Sequence, residues 1–381
     1  MILALLILLI AVSSSNNENV IQIPNENIVD LTTKNKTDVI WDGSNVVMYD
    51  GYMYYVDRKS TGNAECESKI CRIKLTDENK EEVLYKTSQY EIGRRLCVYN
   101  NNLFFNVLGQ TLYMNLENTN YIKIFCDGIL YSIKDGNIIY TYQNKIYKGE
   151  YYRETLAVKN PTSLVSGNIN FMNEDNINLY FYSNNSDGSV SILKVNKEKH
   201  YANVLDRIYM TDYSGQRVID SEITDKNVYV LLELNMANIG YKYMLKEIEK
   251  DGSNTKLIEL ADYVNELKYA DNMNVYFKYY EANEFKKYNE KSEQVEDVKD
   301  MPIMYSLQKE ESKIRLYKNN SLLCDICEVY RETPQNINIK EYDGYIYIEF
   351  DLVDGMSSVE EYMLFRLKND GTEIKQINKN K

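Results

Sequence analysis

The chain has 381 residues, 44% hydrophobic and 27% charged, a composition that supports a packed core and excludes a disordered chain. Its 57 acidic and 44 basic residues give a net charge of −13, which argues against nucleic acid or an anionic membrane as partner. A single histidine excludes a His-based triad or a multi-His metal site within one chain.

Residues 1–12, MILALLILLIAV, form one apolar run closed by Ser13, Ser14 and Ser15. An apolar core of this length with small residues behind it reads as a secretory signal over 1–15, cleaved between Val12 and Asn17. The run is shorter than the roughly 17–25 residues of a spanning helix, so no stable membrane span is expected after processing. Residues 16–40 are a polar, Asn-rich segment, and the folded domain is expected over 41–381. The expected location is secreted or extracytoplasmic, at a cell surface. Heavy use of Asn, Lys, Ile and Tyr points to an AT-rich bacterial genome.

From residue 50 onward one unit recurs: a turn of Asp or Asn with Gly, then an alternating, Tyr-rich strand. It appears as Asp50-Gly51-Tyr52-Met53-Tyr54-Tyr55-Val56 and Asn101-Asn102-Leu103-Phe104-Phe105. It returns at Asp135-Gly136-Asn137-Ile138, Asp175-Asn176-Ile177-Asn178, Asp225-Lys226-Asn227-Val228 and Asp271-Asn272-Met273-Asn274. The last copy is Asp343-Gly344-Tyr345-Ile346-Tyr347-Ile348. A weaker copy, Ser312-Lys313-Ile314-Arg315-Leu316-Tyr317, fills the one wide gap. With it the mean spacing is about 42 residues, the length of a four-stranded propeller blade. The fold class is therefore all-β, a single β-propeller of about eight four-stranded blades, with seven as the alternative. Tyr, Ile and Val favour such strands, and Asn/Asp/Gly pairs supply the positive φ that tight hairpins require.

The pattern Asp-Gly-Tyr-x-Tyr-Tyr followed by a Lys-x-x-Asp-Gly turn resembles a family of secreted bacterial propellers. Those domains have no established function and are likened to the propeller of low-density-lipoprotein-receptor-related proteins. The resemblance covers roughly residues 40–380, carried by Tyr52 to Tyr55, Leu103 to Phe105, Tyr345 to Ile348 and the Asp251-Gly252 and Asp370-Gly371 turns. It implies a fold and brings no catalytic residues. The receptor-type Tyr-Trp-Thr-Asp tetrapeptide is missing, and the sole Trp is Trp41.

Chemistry-bearing residues are sparse. His200 falls in a turn and is expected to be solvent-exposed. Of six cysteines, Cys66 and Cys71 flank a loop that a disulfide would close. Cys324 and Cys327 form a C-x-x-C placed on a strand, about 10 Å apart and beyond the reach of a bond. Cys97 and Cys126 are read as buried thiols opening inner strands. Glu247-x-Glu249-x-Asp251-Gly252 begins like a calcium loop, but Ile258 stands where a bidentate carboxylate is required. No catalytic residue, metal ligand or cofactor is expected.

Loops between the second and third strands vary most, being long at 58–68, 183–189, 235–241 and 351–361. In a propeller these loops share one face, where ligand chemistry is grafted without disturbing the ring. Units eight and one become neighbours on closure, and their loops carry Arg58, Lys59, Asp351, Asp354, Glu360 and Glu361 as candidate binding residues. The expected function is a monomeric, envelope-associated binding propeller that recognises a protein or glycan, not an enzyme. A carboxylate-based glycan hydrolase or lyase, marked by two carboxyls about 5–9 Å apart in a cleft, is one alternative. A structural envelope module is the other.

Overall fold

The computed structural model describes Val39 and residues 43–378, apart from 61–65, 89–91, 94, 154, 210–212, 214, 237–239, 261–262, 272, 280–283, 299–304, 319–320 and 355–359. The signal segment 1–15, the polar segment up to residue 38, and Trp41 lie outside the described residues.

Among the described residues the regular structure is all strand, and it falls into eight consecutive units. They span 46–87, 97–127, 129–166, 168–208, 215–260, 264–297, 305–328 and 333–376. Units two to six are separate four-stranded antiparallel sheets whose strands pair in chain order. Unit seven contributes three described strands, Tyr305–Glu310, Lys313–Lys318 and Ser321–Glu328. Units eight and one meet in one eight-stranded sheet, because Lys59 pairs with Glu361 and Ser60 with Glu360. The protein is thus an all-β propeller, and the eight-blade count stands, with the weak copy at 312–317 inside unit seven.

The second strand of each unit explains the repeated motif. It runs down the middle of a sheet that is itself sandwiched between two neighbours, so both its faces are apolar. Met53, Tyr54, Tyr55 and Val56 are all buried, as are Leu103 to Phe105 and the whole run from Val228 to Leu232. Entry to these strands needs a tight reversal. Asp50 and Gly51 sit at φ 51° and 75°, Asp135 and Gly136 at 50° and 79°, Asp343 and Gly344 at 49° and 79°. Two successive positive φ values match the twist of the flanking strands, and Asp-Gly tolerates them best.

Core packing joins each unit to the next. Val47, Tyr54 and Val56 of unit one pack with Val98, Leu103 and Phe105 of unit two. Equivalent clusters link units two to three, three to four, four to five, five to six and seven to eight. The ring closes through Val46, Met48 and Tyr55 of unit one against Tyr347, Tyr362 and Leu364 of unit eight.

The cysteines need correction. Cys66 and Cys71 lie on one continuous strand, Cys66–Lys74, not across a loop. Five extended residues separate them by about 16 Å, too far for a disulfide, and Cys71 is a free, buried thiol. Cys97 opens the inner strand of unit two as expected, but Cys126 sits near the end of that unit's outer strand Ile122–Asp127. Cys324 and Cys327 are free on the strand Ser321–Glu328. His200 occupies a left-handed turn position (φ 52°), half-buried where exposure was expected.

Candidate ligand-binding face

The structure does bring the residues expected at the junction of units eight and one together, but as a clasp. The Arg58 guanidinium donates to Asp351 Oδ1 at 2.5 Å, with side-chain exposures of 4% and 2%. It lies 5.6 Å from the centre of the Tyr362 ring, and Asn336 Nδ2 donates to the other oxygen of Asp351 at 2.7 Å. Lys59 reaches Glu361 at 3.6 Å in a more exposed pair. Glu360 joins through its strand pairing with Ser60, and Asp354 is half-buried just beyond the strand Tyr345–Val353. Arg58 was assigned to a loop, but the strand Tyr52–Ser60 runs through it. The pair is buried away from solvent and links the first unit to the last.

The same face offers a different surface around unit five. In an up-and-down blade, the turn between second and third strands and the connection to the next unit lie on one side. Tyr209 follows the last strand of unit four, Tyr241 opens the third strand of unit five, and Tyr263 precedes unit six. Tyr209 and Tyr241 are 56% and 63% exposed, and Tyr263 is exposed as well. Gly215, Gln216, Arg217, Glu233, Asn235, Tyr241 and Tyr243 line a groove of ≈ 490 Å³ here. The Tyr243 and Tyr263 rings lie 5.0 Å apart at 50°. The Tyr243 hydroxyl donates to Glu233 Oε2 at 3.0 Å, and Arg217 meets Glu233 Oε1 at 3.1 Å. Burial, and then Glu233 beside it, raise the Tyr243 phenol above its ordinary value, so it stays a neutral donor. Gln216 Nε2 donates to the carbonyls of Gly188 and Ile208 at 2.8 and 2.9 Å, which ties the groove to unit four. The long loop at 235–241 signalled this region in the sequence, but its tyrosines were hidden among 36.

On the opposite face the inner strands end in a polar cleft of ≈ 320 Å³ that includes Glu174, Asp175, Glu222, Lys250 and Asp271. Most of its charges are paired. Glu174 binds Arg95 at 2.6 Å and Lys197 at 2.7 Å, and Asp175 binds Lys250 at 2.8 Å. Arg95 also lies 5.1 and 5.2 Å from the ring centres of Tyr131 and Phe171. Burial opposes the charge of Asp175, yet Lys250 and the Ile177 and Asn178 amides hold it down to about 2. Glu222 also lines the cleft: burial first, then the neighbouring Asp220, push its carboxyl up to about 7. Among the described residues, no group of three or more His, Cys, Asp or Glu side chains is placed to hold a metal ion.

No protein-family model matches the chain, and no curated protein matches it either. Among solved structures it is similar to the polysaccharide lyase Uly1, at 9% identity over 89% of this chain and 94% of that one, with a TM-score of 0.45. It is similar to the β-propeller domain of the Trilobed protease from Pyrococcus furiosus, at 12% identity over 91% and 99%, with a TM-score of 0.44. It is also similar to the tricorn protease, at 11% identity and a TM-score of 0.39, where it spans 88% of itself and 39% of that chain.

Proposed function

We propose that this chain is an extracytoplasmic binding propeller that takes a glycan in the tyrosine-lined groove of unit five. The observation that carries the reading is the exposed Tyr241 ring beside Gln216, Asn235, Arg217 and Glu233 in a concave site. Tyrosine supplies a flat amphipathic face at low conformational cost, and amide and charged groups beside it select hydroxyls. A concave groove of ≈ 490 Å³ has room for a short run of sugar rings. Tyr241→Ala is expected to lose glycan-array binding by tenfold or more with its melting temperature unchanged. Binding of an envelope protein that survives Tyr241→Ala, with no glycan signal, would instead favour a protein ligand. Export belongs to this reading: N-terminal sequencing of protein from the culture medium is expected to start between Ser13 and Asn17, and intact Met1 in the cytosol would overturn it.

A carboxylate-based activity on glycans is the second reading, and Glu222 favours it. Its half-buried carboxyl lines the polar cleft with Asp175 and Asp271 and is raised by burial and by Asp220, which suits it to give or take a proton near neutral pH. Glu222→Gln would then abolish turnover of a polysaccharide whose cleavage rate has a pH limb near 7. Unchanged binding with no turnover in either protein removes this reading.

A further inference from the structure

The turn that opens the second strand follows one recipe in units four and six. Asp175 Oδ1 accepts the Ile177 and Asn178 amides at 2.9 and 2.7 Å, and the Tyr180 hydroxyl donates to Oδ2 at 2.9 Å. Asp271 does the same with Met273 and Asn274, both at 2.8 Å, and with Tyr276 at 3.0 Å. Unit five breaks the recipe. Thr224 stands in the Asp position, and its hydroxyl oxygen still accepts the Asn227 amide at 2.9 Å. With no carboxylate there, the Tyr229 hydroxyl turns instead to Glu290 Oε1 of unit six at 2.6 Å and to Glu247 Oε1 at 3.1 Å.

Two carboxylates from neighbouring blades therefore meet on one phenol, which has one hydrogen to give. Glu247 is further held by Asn227 Nδ2 at 2.8 Å and by the Tyr288 hydroxyl at 3.0 Å, and Thr224 Oγ1 lies 3.4 Å from Glu290 Oε1. Both line a cleft of ≈ 560 Å³, the largest of those described here, together with Lys226, Lys250, Asn254, Thr255 and Lys256. Asn227 also lines it and is only 5% exposed, yet its Oδ1 has no hydrogen-bond partner. Two of the lysines are engaged: Lys250 with Asp175 at 2.8 Å and Lys256 with Glu293 at 2.6 Å. With Glu249, Asp251 and Glu293 the cleft carries five carboxylates against three lysines, Lys226 among them, so its lining is net negative, and it lies where Thr224 replaces the aspartate of units four and six.

We propose that this inter-blade cleft between units five and six binds a ligand through a protonated primary amine. An ammonium carries three donors and no acceptor, which fits Glu290, Glu247 and the free oxygen of Asn227. A neutral hydroxyl brings one donor and no charge to offset two converging carboxylates.

The test is calorimetric titration of the mature chain with a glucosamine oligomer and with 1,4-diaminobutane, each against its N-acetylated form. At least one amine is expected to bind, with its acetylated form at least tenfold weaker. Glu290→Gln and Glu247→Gln are expected to weaken amine binding tenfold or more. Thr224→Asp restores the turn of units four and six, draws the Tyr229 hydroxyl back, and is expected to weaken amine binding in a protein that still melts cooperatively. Equal binding of amine and acetylated forms, binding by neither amine, or full retention in folded Glu290→Gln and Thr224→Asp would each overturn the proposal.

Discussion

The seam between units eight and one and the seam between units six and seven are built in opposite ways. The first has a buried apolar cluster, two cross-strand pairs, the enclosed Arg58–Asp351 ion pair, and a bond from Asn378 Nδ2 to Asp57 at 3.0 Å. Across the second, no buried apolar cluster joins the units among the described residues. The two seams also differ in connectivity. Units six and seven are consecutive, so the chain itself keeps them at high effective concentration. Units eight and one lie almost the whole domain apart in sequence, and they are held by strand pairing and side-chain contacts instead of a connecting segment.

Removing the last unit is the most severe way to break this comparison. A chain ending at residue 332 loses Tyr347, Tyr362 and Leu364, which cover unit one, and Phe350, which covers unit seven, and exposes both faces. Each large buried side chain contributes roughly 1.5–3 kcal/mol, and a domain's whole stability is about 5–15 kcal/mol. The fragment is expected to aggregate or to lose its cooperative transition in size-exclusion and thermal-melt measurements. A monomeric fragment melting near the intact protein would show that the closing seam is dispensable.

A narrower cut removes one partner of the clasp. Arg58→Met leaves Asp351 buried without its cation and is expected to cost about 3–5 kcal/mol in urea denaturation. Pairing it with Asp351→Leu is expected to recover most of that loss, since an apolar pair of similar volume avoids the desolvation cost. If the single variant unfolds at the wild-type midpoint, the clasp does not hold the ring.

Hydrogen exchange sharpens the contrast without mutation. Amides of Lys313–Lys318 are expected to exchange faster than those of Tyr345–Val353, because openings begin where few buried contacts cross. Equal protection would make the two seams energetically alike.

Acidity gives a smaller handle on the closing seam. Burial raises the Asp57 carboxyl, although Asn378 and Lys69 work the other way. A carboxyl whose folded pKa lies above its unfolded value of about 3.9 binds more protons when folded. Its contribution to stability is therefore greatest at low pH and falls as pH rises through that window. Asp57→Asn is expected to flatten this part of the pH profile of the melting temperature. The smallest effect is expected from His200→Ala, which changes neither melting nor binding, since the imidazole is half-buried in a turn and serves neither proposed site.

The blade count was legible because each second strand is announced by a turn that only a few residue types make. The neighbourhood of Arg58 with Asp351 was legible too, as a consequence of closure. Their role was not. A polar residue at a strand end reads as loop, and its burial is tolerable only because a carboxylate 293 residues away satisfies it. Tyr241 was obscured by composition: in a chain with 36 tyrosines, nothing local distinguishes an exposed ring from buried ones such as Tyr55 or Tyr180. The break at Thr224 was visible, since Asp175 and Asp271 stand at the same place in their units. What it builds depends on Glu290 from the next blade, which no local pattern predicts.

The way the ring is fastened also fixes what its ends are free to do. Among the described residues, the first and last units each build their four strands from consecutive sequence, with no strand borrowed from the far end of the chain. Ile377 already packs in one cluster with Val46 and Met48, so the described ends of the domain meet. The starting point of such a chain is a matter of genetic order, not of architecture. A circular permutant that joins residue 378 to residue 43 through a short linker and opens between units six and seven would keep all eight units. It would turn the clasp of units eight and one into an ordinary connected neighbour contact and give the work of closure to the seam between units six and seven.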